Sequence, residues 1–168
     1  PESLQARADR RQKVRASQDY QPLPADVRAL FPAEFEESEL GWVPKGWEFK
    51  QVQEHCIKVQ NGATPSRSVD KYWTNGHIPW LTSGEVRQSI ITKVSNFITE
   101  DGLNNSSAKW VGANSTLVAL YGATAGEVSI NAYELTTNQA VCALIPKDNY
   151  QWFNYLAISE KVTEFQGK

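Results

Sequence analysis

The chain has 168 residues, 40% of them hydrophobic and 21% charged, with a formal net charge of −2. That length supports one domain with a real core and a tail, and no apolar run approaches the ~20 residues of a membrane span. A generic phosphate binder would be far more basic, so any affinity for nucleic acid must be local rather than diffuse.

The charge is strongly patterned. Residues 1–18 carry +3, residues 19–48 carry −5, residues 57–114 carry +2 and residues 115–168 carry −2. The middle third is therefore where a polyanion would be met. The charged N-terminus is unlike a signal peptide. Cys56 and Cys142 lie far apart in ordinary apolar contexts and read as reduced thiols of a cytoplasmic protein. Met is absent, even at position 1, which suggests part of a longer chain.

In chain order, Pro1–Ser17 holds good helix formers but only a thin apolar stripe of Leu4, Ala8 and Val14. Pro24–Phe31 predicts a short helix opened by proline. Pro32–Glu39 is acidic, and Leu40–Trp47 predicts an extended segment held by Trp42 and Trp47. Residues 1–45 read as a helical, acidic leader laid along a domain of residues 46–168. Glu48–Val52 alternates like a strand, Gln53–Cys56 suggests one helical turn, and Ile57–Gln60 is a strand ending at the turn signal Asn61-Gly62.

Ala63–Gly76 is a polar loop. Ile78–Leu81 is a strand, and Pro79 suggests an edge or a strand start. Thr82–Arg87 is a charged turn and Ile90–Ile98 is strand-like. Thr99–Leu103 predicts a short helix, with Thr99 and Gly102 as caps. Asn104–Ala108 is a polar loop, and Trp110–Val111 leads inward.

The centre of the core falls in Ser115–Ile145. Thr116–Tyr121, Glu127–Ile130 and Gln139–Ile145 are short apolar runs bounded by Gly, Asn and Pro, as strands buried on both faces are. Thr136–Gln139 reads as a polar group at the rim. Asn149–Phe165 is the best helix, with Trp152, Phe153, Leu156 and Ala157 as its apolar face. The sum is an α+β domain: a curved, partly closed mixed sheet of short strands with peripheral helices.

Catalytic patterns are missing. His55 and Cys56 are adjacent while His77 and Cys142 stand alone, which is no metal signature. Gly122 and Gly126 follow a strand without the spacing, lysine and helix of a nucleotide loop. No nucleophile elbow occurs. No cofactor is implied. What recurs is loops dense in groups that read bases and hold phosphates, near 61–75, 82–87, 104–109, 121–124 and 136–139.

Several segments together carry a resemblance. GWVPKGWEFKQVQEHC and NGATPS are followed by IPWLTSGEV, ITEDGLNNSSAKWV, STLVALYGATAGEVSI and LTTNQAVCALIP. In that order they resemble the target recognition domain of type I restriction–modification specificity subunits, the HsdS family. The likeness covers roughly residues 25–165, and VRALFPAEFEESELGWVPKGW resembles the segment that often introduces a second recognition domain.

The resemblance implies sequence-specific reading of one half of a bipartite target in double-stranded DNA, mostly through the major groove. It implies methyltransferase (M) subunits and a restriction (R) subunit as partners, with the catalysis in those chains. Gly62–Ser66, Ser83–Glu85, Asn105–Ser107, Tyr121–Thr124 and Thr137–Gln139 match family motifs. Motifs shared across many targets cannot encode each target, so they are assigned to fold and backbone positioning. Arg67, Lys71, Tyr72, Trp73 and Asn75 in the variable loop, with Arg87, Lys93 and Lys109, are the expected base and phosphate contacts. Ser83, Thr124 and Asn138 are the motif residues expected at the DNA. A single-chain restriction–methylation enzyme and a carbohydrate-binding module are the alternatives.

Overall fold

In the computed structural model, residues 4–39 and 41–167 are described, without the side chains of Leu4 and Arg7. The chain divides into two units, residues 1–49 and residues 50–168. In the first, the charged stretch forms helix α1 (Leu4–Arg15), and α2 (Ala25–Ala29) follows Pro24. Leu4 of the expected apolar stripe, and Leu40 of the expected extended segment, lie outside the description.

The acidic run becomes β1 (Phe35–Ser38), paired antiparallel with β2 (Gly41–Pro44). The acidic run and the expected extended segment thus pair as a hairpin. Backbone and charge close it. The Lys45 backbone N–H donates to the Glu34 carbonyl at 2.9 Å, and its Nζ pairs with the Glu34 carboxylate at 2.7 Å. The Gly46 N–H donates to Glu36 Oε1 at 3.0 Å. Trp42 and Trp47 are exposed, so hydrogen bonds rather than the two tryptophans hold the segment.

The second unit opens with a 3-10 turn, Val52–His55, close to the turn expected at Gln53–Cys56. Glu48–Val52 forms no strand. Glu54 reaches back to the Gln51 N–H at 2.5 Å, and this capping box overrides the alternation. The strands that follow are β3 (Cys56–Asn61), β4 (Ile78–Leu81), β5 (Ile90–Ile91) and β6 (Asn96–Ile98). Then come α3 (Glu100–Asn104), β7 (Trp110–Val111), β8 (Thr116–Ala119), β9 (Val128–Asn131), β10 (Leu135–Thr137) and β11 (Val141–Pro146). Helices α4 (Gln151–Ser159) and α5 (Val162–Phe165) finish the unit.

The α+β class with short strands and few helices holds. The strands divide between a five-stranded sheet, β3-β11-β8-β9-β5, and a four-stranded sheet, β6-β4-β10-β7, and neither closes into a barrel. Both are mixed, because β5–β9 and β4–β10 are parallel. Leu81, Val111 and Leu135 of one sheet pack against Ile91, Leu117, Ala119, Val141 and Ala143 of the other. The outer face of the five-stranded sheet packs Val118, Val128 and Leu144 against Ile158 of α4. The outer face of the four-stranded sheet packs Ile78, Trp80 and Ile98 under Leu103, Ala108 and Trp73. Buried on both sides, β8 and β11 read as continuous apolar runs for this reason.

Several local expectations are corrected by this layering. Pro79 lies in an interior strand, between β6 and β10, and its carbonyl accepts the Thr136 hydroxyl at 2.8 Å. Ile90–Ile98 breaks in two, and its halves join different sheets. Thr136 and Thr137 are no rim group: they form β10 and are fully buried. Gly102 is not a cap but a buried helical residue, where an added Cβ would stand 2.7 Å from the Tyr72 carbonyl oxygen. Thr99 does cap α3, accepting the Gly102 N–H at 3.1 Å.

The Asn61-Gly62 pair makes no hairpin. It is where the chain leaves β3 and crosses β10, and a Cβ on Gly62 would meet the Thr137 carbonyl oxygen at 2.0 Å. Helix α4 also turns differently from expectation. Trp152, Phe153, Leu156 and Ala157 are exposed, and Asn154 and Ile158 are buried. Two polar contacts set that rotation: the Thr116 hydroxyl donates to the Gln151 carbonyl at 3.0 Å, and the Asn154 amide reaches Cys56 Sγ at 3.8 Å. The helix ends at Ser159, and α5 starts afresh at Val162.

The core assignment is tested by stability. Leu117 is fully buried between the sheets, whereas Leu120 lies beyond the strand and only half-buried. Leu117→Ala should cost ~2–5 kcal/mol in denaturant unfolding. Leu156→Ser, at a site 62% exposed, should stay within ~0.5 kcal/mol of the parent. Equal losses at the two sites would refute the layer assignment.

Candidate nucleic-acid interface

The loop Ala63–Gly76 lies over the outer face of the four-stranded sheet, and five hydrogen bonds give it shape. Gly62 and Ala63 start it against β10 and β11: the Ala63 N–H donates to the Thr137 carbonyl at 2.9 Å. Trp80 of β4, 2% exposed, donates its indole N–H to the Ala63 carbonyl at 3.0 Å. Trp73 donates its own indole N–H to the Ser66 carbonyl at 3.0 Å. At the far side the Thr99 hydroxyl and N–H bond the Lys71 and Tyr72 carbonyls at 2.8 and 2.9 Å. A loop so tied is a platform rather than a free coil.

Arg67, Lys71, Tyr72, Trp73 and Asn75 are all brought together here. The Arg67 guanidinium lies 3.5 Å from the centroid of the Trp73 ring. Trp73 itself is half-buried and meets Trp80 edge-on at 5.1 Å. Lys71 pairs with Asp101 of α3 at 3.1 Å across an exposed surface. Asn75 adopts φ 59°, a left-handed turn conformation that asparagine tolerates, and leaves its side chain exposed. Lys109 is exposed one residue beyond Ala108, which packs in the cluster beneath this loop.

Other expected contacts lie elsewhere. Arg87 lines an open cavity of about 240 Å³ with Glu127, Val128, Tyr155 and Ser159, beside α4 and across both sheets from the loop. Lys93 is exposed on the β5–β6 connection. Ser83 is half-buried in a 3-10 turn, Ser83–Glu85. Thr124 is buried at 5% exposure. Asn138 spends its side-chain oxygen on the Ala140 N–H at 3.2 Å, and its own N–H on the Leu81 carbonyl.

The family motifs knit to one another. The Thr64 hydroxyl donates to Gln139 Oε1 at 2.6 Å, joining the segment after β3 to the segment after β10. Glu85 caps its own turn through the Thr82 N–H and hydroxyl, and its other oxygen accepts the Ser95 N–H at 2.8 Å. Burial alone would raise its pKa, but the bonds from Thr82 and Ser95 outweigh burial, and the carboxyl sits below its usual range. Burial pushes the Cys56 and Cys142 thiols up, away from reactive thiolate chemistry. Asp101, which pairs with Lys71 on the surface, and Trp80, which supports the loop, did not stand out in the sequence. Their roles follow from contacts 30 and 17 residues apart along the chain.

A recognition module is the class this arrangement defines: a polar, cation-bearing loop held on a packed sheet. Residues 44–168 match the type I restriction modification DNA specificity domain, and the chain belongs to that family. It is 30% identical over 144 residues to the type I restriction enzyme MjaIX specificity subunit of Methanocaldococcus jannaschii, covering 83% of this chain and 33% of that one. It is 29% identical over 118 residues to the EcoR124I/EcoR124II specificity subunit of Escherichia coli, covering 68% and 27%. The chain thus spans about a third of the length of these relatives. The fold matches the crystal structure of the HsdS subunit from Thermoanaerobacter tengcongensis with TM-score 0.58 at 16% identity, over 98% of this chain and 39% of that one. Among the described residues no helix is long and apolar enough to cross a membrane.

The Glu85 clamp predicts a pH dependence. Its folded-state pKa is depressed, so its contribution is present above the unfolded carboxyl pKa and lost as pH falls through the folded value. Glu85→Gln should destabilise the unit by ~1 kcal/mol at pH 7. The gap between variant and parent should close in acid, as followed by thermal melts from pH 7 down to pH 3. A gap that widens in acid would refute the clamp.

Proposed function

We propose that this chain recognises a specific sequence in double-stranded DNA, as one half of a bipartite target, and that residues 46–168 carry the recognition. The match of residues 44–168 to a DNA specificity domain is the observation that carries this reading. The chain is read as non-catalytic. It would direct methyltransferase and restriction subunits, which act on the DNA it selects, in the cytoplasm.

Contacts with the duplex are assigned to the loop Ala63–Gly76 and its neighbour Lys109. Arg67 and Asn75 are the base-reading candidates, since guanidinium pairs with guanine edges and amides with adenine edges. Lys71, Tyr72 and Lys109 suit phosphate and sugar. Trp73 supports the loop from beneath. Ser83, Thr124 and Asn138 are assigned to the fold, because their groups are half-buried, buried or already bonded. Arg87 and Lys93 fall outside the loop's footprint and are assigned at most to flanking phosphates.

Fluorescence titration of labelled duplex at several salt concentrations tests the assignment. With so few cations in the loop, the fall of log affinity with log salt should be shallow. Lys109→Ala should weaken all duplexes alike and lower that slope by about 1. Arg87→Ala should leave binding nearly unchanged. Strong loss on Arg87→Ala with none on Lys109→Ala would move the interface to the α4 side.

A further inference from the structure

We infer that Arg67 is a pre-oriented reading group, and that Trp73, backed by Trp80, is the positioning residue that sets its plane. The inference rests on the DNA reading proposed above. Three rings of contact lead from core to surface. Trp80 is fixed inside the sheet face by burial and by its bond to the Ala63 carbonyl. Trp73 stands perpendicular to it, with an interplanar angle of 86°, and is pinned by its bond to the Ser66 carbonyl. The Arg67 guanidinium lies on Trp73 at 3.5 Å and is 5.0 Å from the Trp80 ring.

The geometry of a guanidinium makes this more than packing. Its N–H groups lie in its plane, so a ring against its face leaves the donor edge open. Arg67 is exposed, and among the described residues no carboxylate pairs with it. Lys71, its neighbour on the loop, already has Asp101 at 3.1 Å. A stacked arginine gives up part of its rotamer freedom before any partner arrives, which favours selective over merely attractive contact. The acceptor it fits is a pair of adjacent atoms in one plane: the O6 and N7 of a guanine, or two oxygens of one phosphate. Both sources lie on a duplex, and the test separates them.

The test uses the full-length protein with Arg67→Ala, Arg67→Lys, Trp73→Leu and Trp73→Phe, and the double variant Arg67→Ala with Trp73→Leu. Each is checked for an unchanged melting transition. In the free protein, side-chain NMR of Arg67 should show shifts from the Trp73 ring that vanish in Trp73→Leu and persist in Trp73→Phe. Each protein then selects from a randomised duplex pool, and bound sequences are counted. Arg67→Ala, Arg67→Lys and Trp73→Leu should each lose about tenfold in binding to the parent's preferred duplex. Trp73→Phe, which keeps a ring but loses the bond to the Ser66 carbonyl, should fall between the parent and Trp73→Leu. The double variant should be no worse than Arg67→Ala, because both changes remove one interaction.

Loss of preference at a single base position supports the guanine edge; loss shared by all sequences supports the phosphate. An Arg67→Ala variant that binds and selects as the parent does overturns the inference. So does a Trp73→Leu variant that matches the parent, or a double variant tenfold worse than Arg67→Ala. Absent ring shifts on Arg67 in the parent overturn the stack itself. A parent that enriches no sequence overturns the DNA reading, and this inference with it.

Discussion

The pairing of β8 with β11 is the constraint on which the second unit depends. Each strand turns alternate residues to opposite faces, and both faces are buried. Leu117, Ala119, Val141 and Ala143 face the four-stranded sheet, while Val118 and Leu144 face α4. A slip of one residue would exchange these sets and break both clusters at once. Thr116 and Asn131, buried in this region, are tied down. Thr116 donates to the Gln151 carbonyl, and Asn131 holds the Ser115 N–H and the Gly112 and Tyr133 carbonyls. Buried groups left unpaired would cost about what a lost hydrogen bond costs.

The loop Ala63–Gly76 takes its shape from that core by two close approaches. Gly62 passes the Thr137 backbone where no side chain fits, and Gly102 lets α3 press on the Tyr72 carbonyl. Trp80 and Trp73 then turn a stretch of sheet into an aromatic floor for the loop. A loop held on a packed sheet is a common arrangement for recognition, since the sheet is a platform that supplies precision. Here Thr64–Gln139 and the Glu85 clamp belong to the platform.

Charge fits the same division. The middle third of the chain is only +2. Part of its basic charge is already paired, as Lys71 is with Asp101. Such a surface cannot hold DNA by bulk attraction, because each phosphate contact contributes through the counterions it releases. What it offers is placement of a few donors. The first unit carries the chain's net charge of −2, with basic residues gathered in helix α1 and acidic ones around the hairpin β1–β2, and the second unit is neutral overall.

By itself the sequence determined what depends on neighbours in the chain. The apolar runs at Thr116–Tyr121 and Gln139–Ile145 contain the strands β8 and β11, Thr99 caps a helix, Pro24 opens one, and the ordered motifs name the family. Each of these is set by local sterics, capping or residue order. Tertiary structure alone decided what depends on which face meets which partner. Pro79 reads as an edge or strand-start residue, and it sits near the start of an interior strand, where the Thr136 hydroxyl uses its carbonyl and no partner needs the N–H it lacks. Asn61-Gly62 reads as a turn, and the fold uses it for a crossing of β10. The face of α4 could not be read from spacing, because 151, 154, 155 and 158 repeat as helically as the apolar set, and polar contacts to β8 and Cys56 choose between them. Arg67 was legible as a cation in a loop. That its plane is set by Trp73 was not, because the ring beneath it stands on Trp80, in a strand that spacing along the chain does not place.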